Sequence, residues 1–219
     1  MIDEKKVPCH NQNMQYPCIL FDFDDTLFNT TAWSRQLLAI AQSYGVSEQL
    51  YNEAYLNVRH QYNFDRHVDE IQTLSSQYPN AKNINFTALL NNLESMLSLQ
   101  NISPFVYSDS IEILHRAQKS TNQLVLFTKG WPAFQAQKVE ASSLIHFFTK
   151  VLYTPIAKAE YLANFPQYQN GIFMNDKAEE NEEIKHTYPH LQTVLVDHTT
   201  SQTVLVDIAN ELGFSEILK

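Results

Sequence analysis

The segment Ile19-Leu20-Phe21-Asp22-Phe23-Asp24-Asp25-Thr26-Leu27 begins as an apolar run and then sets three carboxylates within four positions. Carboxylates this close repel and raise one another's pKa, so a folded chain tolerates them only where water or a cation neutralises the charge. A divalent metal is the natural counter-charge. The residues before them read as a buried strand over Cys18 to Phe21, and period-two alternation then sends Asp22 and Asp24 to one side and Phe23 to the other. Open parallel sheets bind ligands just beyond the carboxyl ends of their strands, where this pair would stand. One carboxylate is then placed to attack and the other to carry a proton. The plainer reading is a polar turn whose acids cap a helix starting near Thr30.

Downstream, the pattern changes twice. From Thr31 to about Gln100 apolar residues recur at three- and four-residue steps, in stripes such as Trp33/Leu37/Ile40/Ala41/Tyr44, which ends at Gly45, and Tyr51/Ala54/Tyr55/Val58. Two further stripes, Phe64/Val68/Ile71/Leu74 and Phe86/Leu89/Leu90/Leu93/Met96/Leu97, complete an insertion of about four helices. From Pro104 onward strand and helix signals alternate, which predicts βαβ units and a mostly parallel sheet. The expected strands are Gln123 to Phe127, Val151 to Tyr153, Gly171 to Met174 and Thr193 to Val196. The expected helices are Ser108 to Lys119, Pro132 to Ala141, Ala157 to Asn164 and Ala178 to Tyr188. The fold class is therefore α/β, a Rossmann-like three-layer core carrying an inserted helical domain. The division is a tail over 1–16, a core over 17–29 and 104–219, and a helical insertion over 30–103. The pentapeptide Thr-Val-Leu-Val-Asp occurs at Thr193 to Asp197 and again at Thr203 to Asp207, where the spacing of Val204, Leu205, Ile208 and Leu212 favours helix.

Composition removes several classes of function. A chain of 219 residues with 44% hydrophobic content can bury a substantial core. A net charge of −9 with 15 scattered Lys and Arg argues against a nucleic-acid backbone binder. No apolar run approaches the roughly 20 residues of a membrane helix, and the first seventeen residues lack the core of an export signal. Cys9 and Cys18 are the only cysteines, too few for a disulfide framework, and Cys18 suits the start of a buried strand. A reducing cytoplasm is the expected setting.

Each later strand also ends in a residue of chemical interest. Thr128, Lys129 and Gly130 follow Leu124 to Phe127, a hydroxyl and a cation beside a glycine that lets backbone N–H groups approach an anion. Asn175 and Asp176 follow Gly171 to Met174, and Lys158 lies near the start of a helix between them. Taken singly, a strand-ending threonine is usually a cap and a lone lysine is usually solvated. Together, a carboxylate nucleophile, a hydroxyl, an ammonium and a metal-binding acid are what phosphoryl transfer uses.

These residues resemble the haloacid dehalogenase superfamily. Its four motifs occur in order as DFDDTL at Asp22 to Leu27, LVLFT at Leu124 to Thr128, Lys158, and IFMND at Ile172 to Asp176, and Gln135, Gln137 and Lys138 match the pattern downstream of the second. Two positions depart from it: Asp25 stands where glycine is commonest, and Asn175 where Asp or Gly is usual. The resemblance implies that Asp22 forms an aspartyl-phosphate while Asp24 protonates the leaving alcohol and later takes a proton from water. It implies Mg²⁺ held by the Asp22 side chain, the backbone carbonyl of Asp24, and Asp176. Thr128, Lys129 and Lys158 would bind the phosphate of a small phosphorylated metabolite. Members that cleave carbon–halogen bonds lack an acid at the Asp24 position, so a phosphatase is favoured over a dehalogenase. A phosphomutase, a catalytically silent binding module and a receiver domain are the other readings, and the long insertion speaks against the last. Glu180 either orients a metal-bound water or belongs to the charged face Glu179-Glu180-Glu182-Glu183, the latter being the simpler expectation. In the insertion, Arg59, His60, Asp65, Arg66 and His67 form the most polar cluster, able to contact a leaving group or to lie in solvent.

Overall fold

Three short strands of mainly apolar sequence need partners on both sides, and in the computed structural model, which describes residues 16–79, 81, 83–200 and 203–214, they find them at the centre of one parallel sheet of five. The chain runs β1 (Ile19–Phe21), α1 (Thr30–Ser43), α2 (Glu48–Val58), α3 (Phe64–Ser75), α4 (Phe86–Ser95), the single turn α5 (Leu99–Ile102) and α6 (Ser110–Ser120). It continues β2 (Leu124–Lys129), α7 (Pro132–Ala141), β3 (Lys150–Thr154), α8 (Lys158–Leu162), β4 (Gly171–Asn175), α9 (Ala178–Thr187), β5 (Leu191–Leu195) and α10 (Val204–Glu211). The strand order is β3-β2-β1-β4-β5, so the carboxylate-bearing strand is central. Cys9 and the tail up to residue 15 lie outside the described residues.

Alternation along the strands builds two separate cores. Ile19, Phe21, Leu124, Leu126, Ile172 and Met174 pack to one face with α6, α10 and the inserted helices. Cys18, Leu20, Val125, Phe127 and Phe173 pack to the other with residues of α8 and α9. The Cys18 thiol donates to the Asn170 carbonyl at 3.0 Å, and burial pushes its pKa up to about 11, which leaves it inert. At the start of β4 only glycine fits, because a Cβ on Gly171 would stand 2.1 Å from the Cys18 carbonyl oxygen.

Helices α1 to α4 pack on one another between β1 and the rest of the core. Each starts at a side-chain cap, from Asn29, Ser47, Asn63 and Asn85 in turn, worth roughly 1 kcal/mol apiece. One stripe departs from expectation: Tyr51 and Ala54 are buried, whereas Tyr55 is 44% exposed on the rim of a cavity. The polar cluster also divides. His67 is fully buried, His60, Asp65 and Arg66 face solvent, and of the five only Arg59 lines that cavity. Among the described residues no helix is long and apolar enough to cross a membrane.

Candidate active site

The strand register gathers the site. Phe21 pairs with Leu126 on one side and Met174 on the other, so Thr128 and Asp176, each two residues further on, flank the Asp22 to Asp24 segment. The Met174 carbonyl accepts the Asp22 N–H at 2.8 Å and extends the ladder one residue past β1.

Lys158, the first residue of α8, is the cation at the centre. Its ammonium lies 2.9 Å from Asp22 Oδ1 and 3.0 Å from Glu180 Oε2, donates to Asn175 Oδ1 at 2.9 Å, and sits 5.3 Å from the Phe173 ring centre. Burial drives the Asp22 carboxyl up from its ordinary value, Lys158 pulls it back, and the charge on Asp24 pushes it up again; the net direction is upward. Glu180 is also opposed by burial, but Lys158, Lys177 and Lys129 outweigh it and hold the group low. Glu180 is therefore not part of the solvated helix face expected of it, whereas Glu179, Glu182 and Glu183 are exposed. Asn175 spends its amide on structure: Oδ1 accepts from Lys158, and Nδ2 donates to the Lys177 carbonyl and Asn181 Oδ1, both at 3.2 Å.

Asp24 has a different environment. Its Oδ1 accepts from the Lys138 ammonium and the Thr30 hydroxyl, and its Oδ2 from Gln135 Nε2 at 2.7 Å. Burial opposes the charge, yet these three partners hold the carboxyl below its usual range. The Lys138 ammonium also lies 5.5, 5.4 and 5.3 Å from the rings of Phe23, Phe28 and Trp33. Asp25 adopts φ +53°, the left-handed region that favours glycine and tolerates Asp, which accounts for glycine being the commoner residue there. Its carboxylate accepts the Thr31 N–H at 3.0 Å and so fastens the start of α1, as the plainer reading of the acids foresaw.

Gly130 has another use than the one expected. Its N–H donates to the Thr154 carbonyl at 2.8 Å, which removes it from anion binding. What it provides is room: a Cβ there would meet Gln135 Nε2 at 2.5 Å. Lys129 stands beside it, 42% exposed, with its ammonium 3.7 Å from Glu180 Oε1.

Thr128 Oγ1 and Asp176 Oδ1 are among the buried oxygens at the site that have no hydrogen-bond partner. Loss of solvent, and next the charge on Asp22, push the Asp176 carboxyl up to about 7. Two acids pushed up by lost solvent and by a neighbouring carboxylate fit a cation, and an all-oxygen set suits Mg²⁺. Among the described residues no three side chains of His, Cys, Asp or Glu gather as a metal shell. The fitting donors are thus the carboxylates of Asp22 and Asp176 with main-chain carbonyl and water oxygens, since the Asp24 carboxylate is committed elsewhere.

Residues 19–159 match the model of the haloacid dehalogenase-like hydrolase family. The chain belongs to this family. No protein of curated function matches it by sequence. Its fold is shared by a protein described as a haloacid dehalogenase-like hydrolase from Burkholderia xenovorans LB400, with a TM-score of 0.63 at 19% identity over 90% of this chain and 98% of that one. A hydrolase of the same superfamily from Bacillus subtilis, solved with magnesium bound, aligns with a TM-score of 0.59 at 14% identity over 91% and 99%. A predicted phosphoglycolate phosphatase from Haemophilus somnus 129PT aligns at 0.51 and 17% over 83% and 85%.

Three partners of the site escaped the sequence reading of roles: Thr30, Gln135 and Lys138. The last two were visible only as a family pattern, although their spacing of three on a helix already places both on one face.

Proposed function

We propose that the protein is a Mg²⁺-dependent phosphatase of small phosphate monoesters, working through an aspartyl-phosphate on Asp22. The observation that carries this reading is the Asp22–Lys158 ion pair at 2.9 Å, with the partnerless Thr128 hydroxyl at the neighbouring strand end. That grouping supplies a nucleophile, a cation and a donor for one phosphoryl group. Solved structures sharing the fold include dehalogenases as well as the phosphatase, so the likeness leaves the leaving group open. Asp24 supports the ester, because an alkoxide needs a proton and a halide does not.

In this reading Asp22 and Asp176 would hold Mg²⁺, which would supply charge neutralisation for the phosphoryl group. Asp22 attacks phosphorus as the ester P–O bond breaks, and Asp24 delivers a proton to the departing oxygen. Water then attacks the acyl-phosphate and Asp24 takes its proton. Held ionised by Lys138, Asp24 becomes an acid only when a phosphate dianion arrives and raises its proton affinity. The helices over 30–103 serve as a lid on the core, which excludes water during attack.

The test is hydrolysis of p-nitrophenyl phosphate. Turnover should require added Mg²⁺, stop on chelation, and vanish in Asp22→Asn. Equal turnover in Asp22→Asn, or in chelator, refutes the reading.

A further inference from the structure

Beside Asp24, between α1, α2 and the start of α7, lies a cavity of about 440 Å³. Its wall is aromatic, made by Trp33, Tyr51, Tyr55, Tyr62, Trp131 and Phe134. The rings brace one another, with Tyr62 and Phe134 edge to face at 4.7 Å and Tyr55 against Tyr62 at 5.4 Å. A space of this size is in the range of a small-molecule site, and a short aliphatic group would leave most of these faces in contact with water.

Two of the wall residues also carry a buried polar atom. Trp33 Nε1 and Gln135 Oε1 are buried without a hydrogen-bond partner. Gln135 is held in one orientation, since its Nε2 donates to Asp24 Oδ2 and to the Lys129 carbonyl, so Oε1 is left as an acceptor. The wall therefore offers flat aromatic faces, with the side chains of Ser34, Asn52 and Arg59 among its polar lining. Aromatic cages also bind quaternary ammonium groups, but here Arg35, Arg59, Lys129 and Lys138 outnumber Asp24, the one acid lining the same cavity, and disfavour a cation.

Resting on the phosphatase reading above, we propose that this cavity receives a planar heteroaromatic ring carried by the leaving alcohol, so that the preferred substrates are phosphate monoesters of such alcohols. The ring has donor and acceptor positions on its edge. A nucleobase and a hydroxylated pyridine are the two sources of that chemistry.

The experiment has a kinetic and a binding arm. The first compares kcat/KM for uridine 5′-monophosphate, pyridoxal 5′-phosphate, glycerol 3-phosphate and glucose 6-phosphate. At least one ring-bearing ester should exceed both others by tenfold or more, and Tyr55→Ala should narrow that preference about fivefold. The second titrates Asp22→Asn with uridine, pyridoxine and glycerol, none of which carries phosphate. Trp33 and Trp131 are the chain's only tryptophans and both line the cavity, so a seated ring should quench their emission saturably and glycerol should not. Quenching with no turnover of any ester sinks the phosphatase reading and keeps the cavity assignment. Hydrolysis without ring preference, or no quenching by either ring alcohol, overturns the assignment and leaves the phosphatase reading standing.

Discussion

His67 ties the stability of the cavity wall to pH. The imidazole is fully buried, with Nε2 at 2.9 Å from the Tyr51 carbonyl and Nδ1 at 3.2 Å from the Tyr62 hydroxyl. A carbonyl only accepts, so Nε2 carries the hydrogen and Nδ1 accepts from the phenol; the neutral ring is satisfied and has no place for a second proton. Burial holds its pKa at about 4, against 6.5 for a free imidazole. Between those values the unfolded chain binds a proton that the folded chain does not, so acid favours unfolding. The loss starts as pH falls below 6.5 and is complete near 4, about 3 kcal/mol in all at ~1.4 kcal/mol per pH unit. By pH 5 it has reached about 2 kcal/mol, a large part of the ~5–15 kcal/mol that holds an ordinary domain together. Urea unfolding at pH 7.5 and 5.0, for the wild type and for His67→Gln, measures it. Glutamine keeps a donor for Tyr51 and an acceptor for Tyr62 without titrating, so the wild type should lose about 2 kcal/mol more than the variant over that interval. If both lose the same amount, the buried neutral imidazole is not what the pH acts on.

Gly130→Ala should push the Gln135 amide off Asp24, because the new Cβ falls 2.5 Å from Gln135 Nε2 at a φ of +156°. We expect a destabilisation of about 1–3 kcal/mol in urea melts and at least a tenfold fall in kcat for p-nitrophenyl phosphate. Asn175→Asp should cost about 1–3 kcal/mol in the same melts, since it removes two buried donors and sets a third carboxylate against Lys158 beside Asp22 and Glu180.

The parallel sheet was legible because each inner strand is a run of four or five apolar residues closed by a polar one, and such runs bury on both faces. The edge was not so plain. The last strand was expected at Thr193 to Val196 and lies at Leu191–Leu195, where it is only partly buried and takes its bounds from pairing with β4 rather than from hydrophobicity. The duplicated pentapeptide makes the same point within one chain. Its first copy runs from β5, where Val194 pairs with Met174, into the loop that follows, and its second enters α10. What starts that helix is a distant residue: the buried Asp109 carboxylate accepts the Leu205 N–H at 2.8 Å. Local propensity is equal in both copies, and tertiary partners choose between them. The site divides likewise. Asp22, Thr128, Lys158 and Asp176 could be read from motif order, but the Lys138–Asp24 contact spans 114 positions and needs the fold to be seen. Glu180 was misjudged because four glutamates in five residues look alike until Lys158 singles one out.

The four acids of the centre are not equivalent, and their differences follow from which lysine each one meets. Burial pushes Asp22 and Asp176 upward against Lys158, with the charge on Asp24 adding to the first and that on Asp22 to the second, and together they favour a cation. Glu180 takes the remainder of Lys158 with help from Lys129 and Lys177, and stays charged as the anchor of that ammonium. Asp24 alone has Lys138, with two neutral donors besides, and is held below its ordinary range despite its burial. Two carboxylates whose environments drive their proton affinities apart are suited to different tasks in one reaction. The same Lys138 rests against Trp33 of α1, and Thr30 at the head of that helix donates to Asp24, so the Asp24 carboxylate is fastened to α1 as well as to the core, beside the aromatic cavity that the same helix lines.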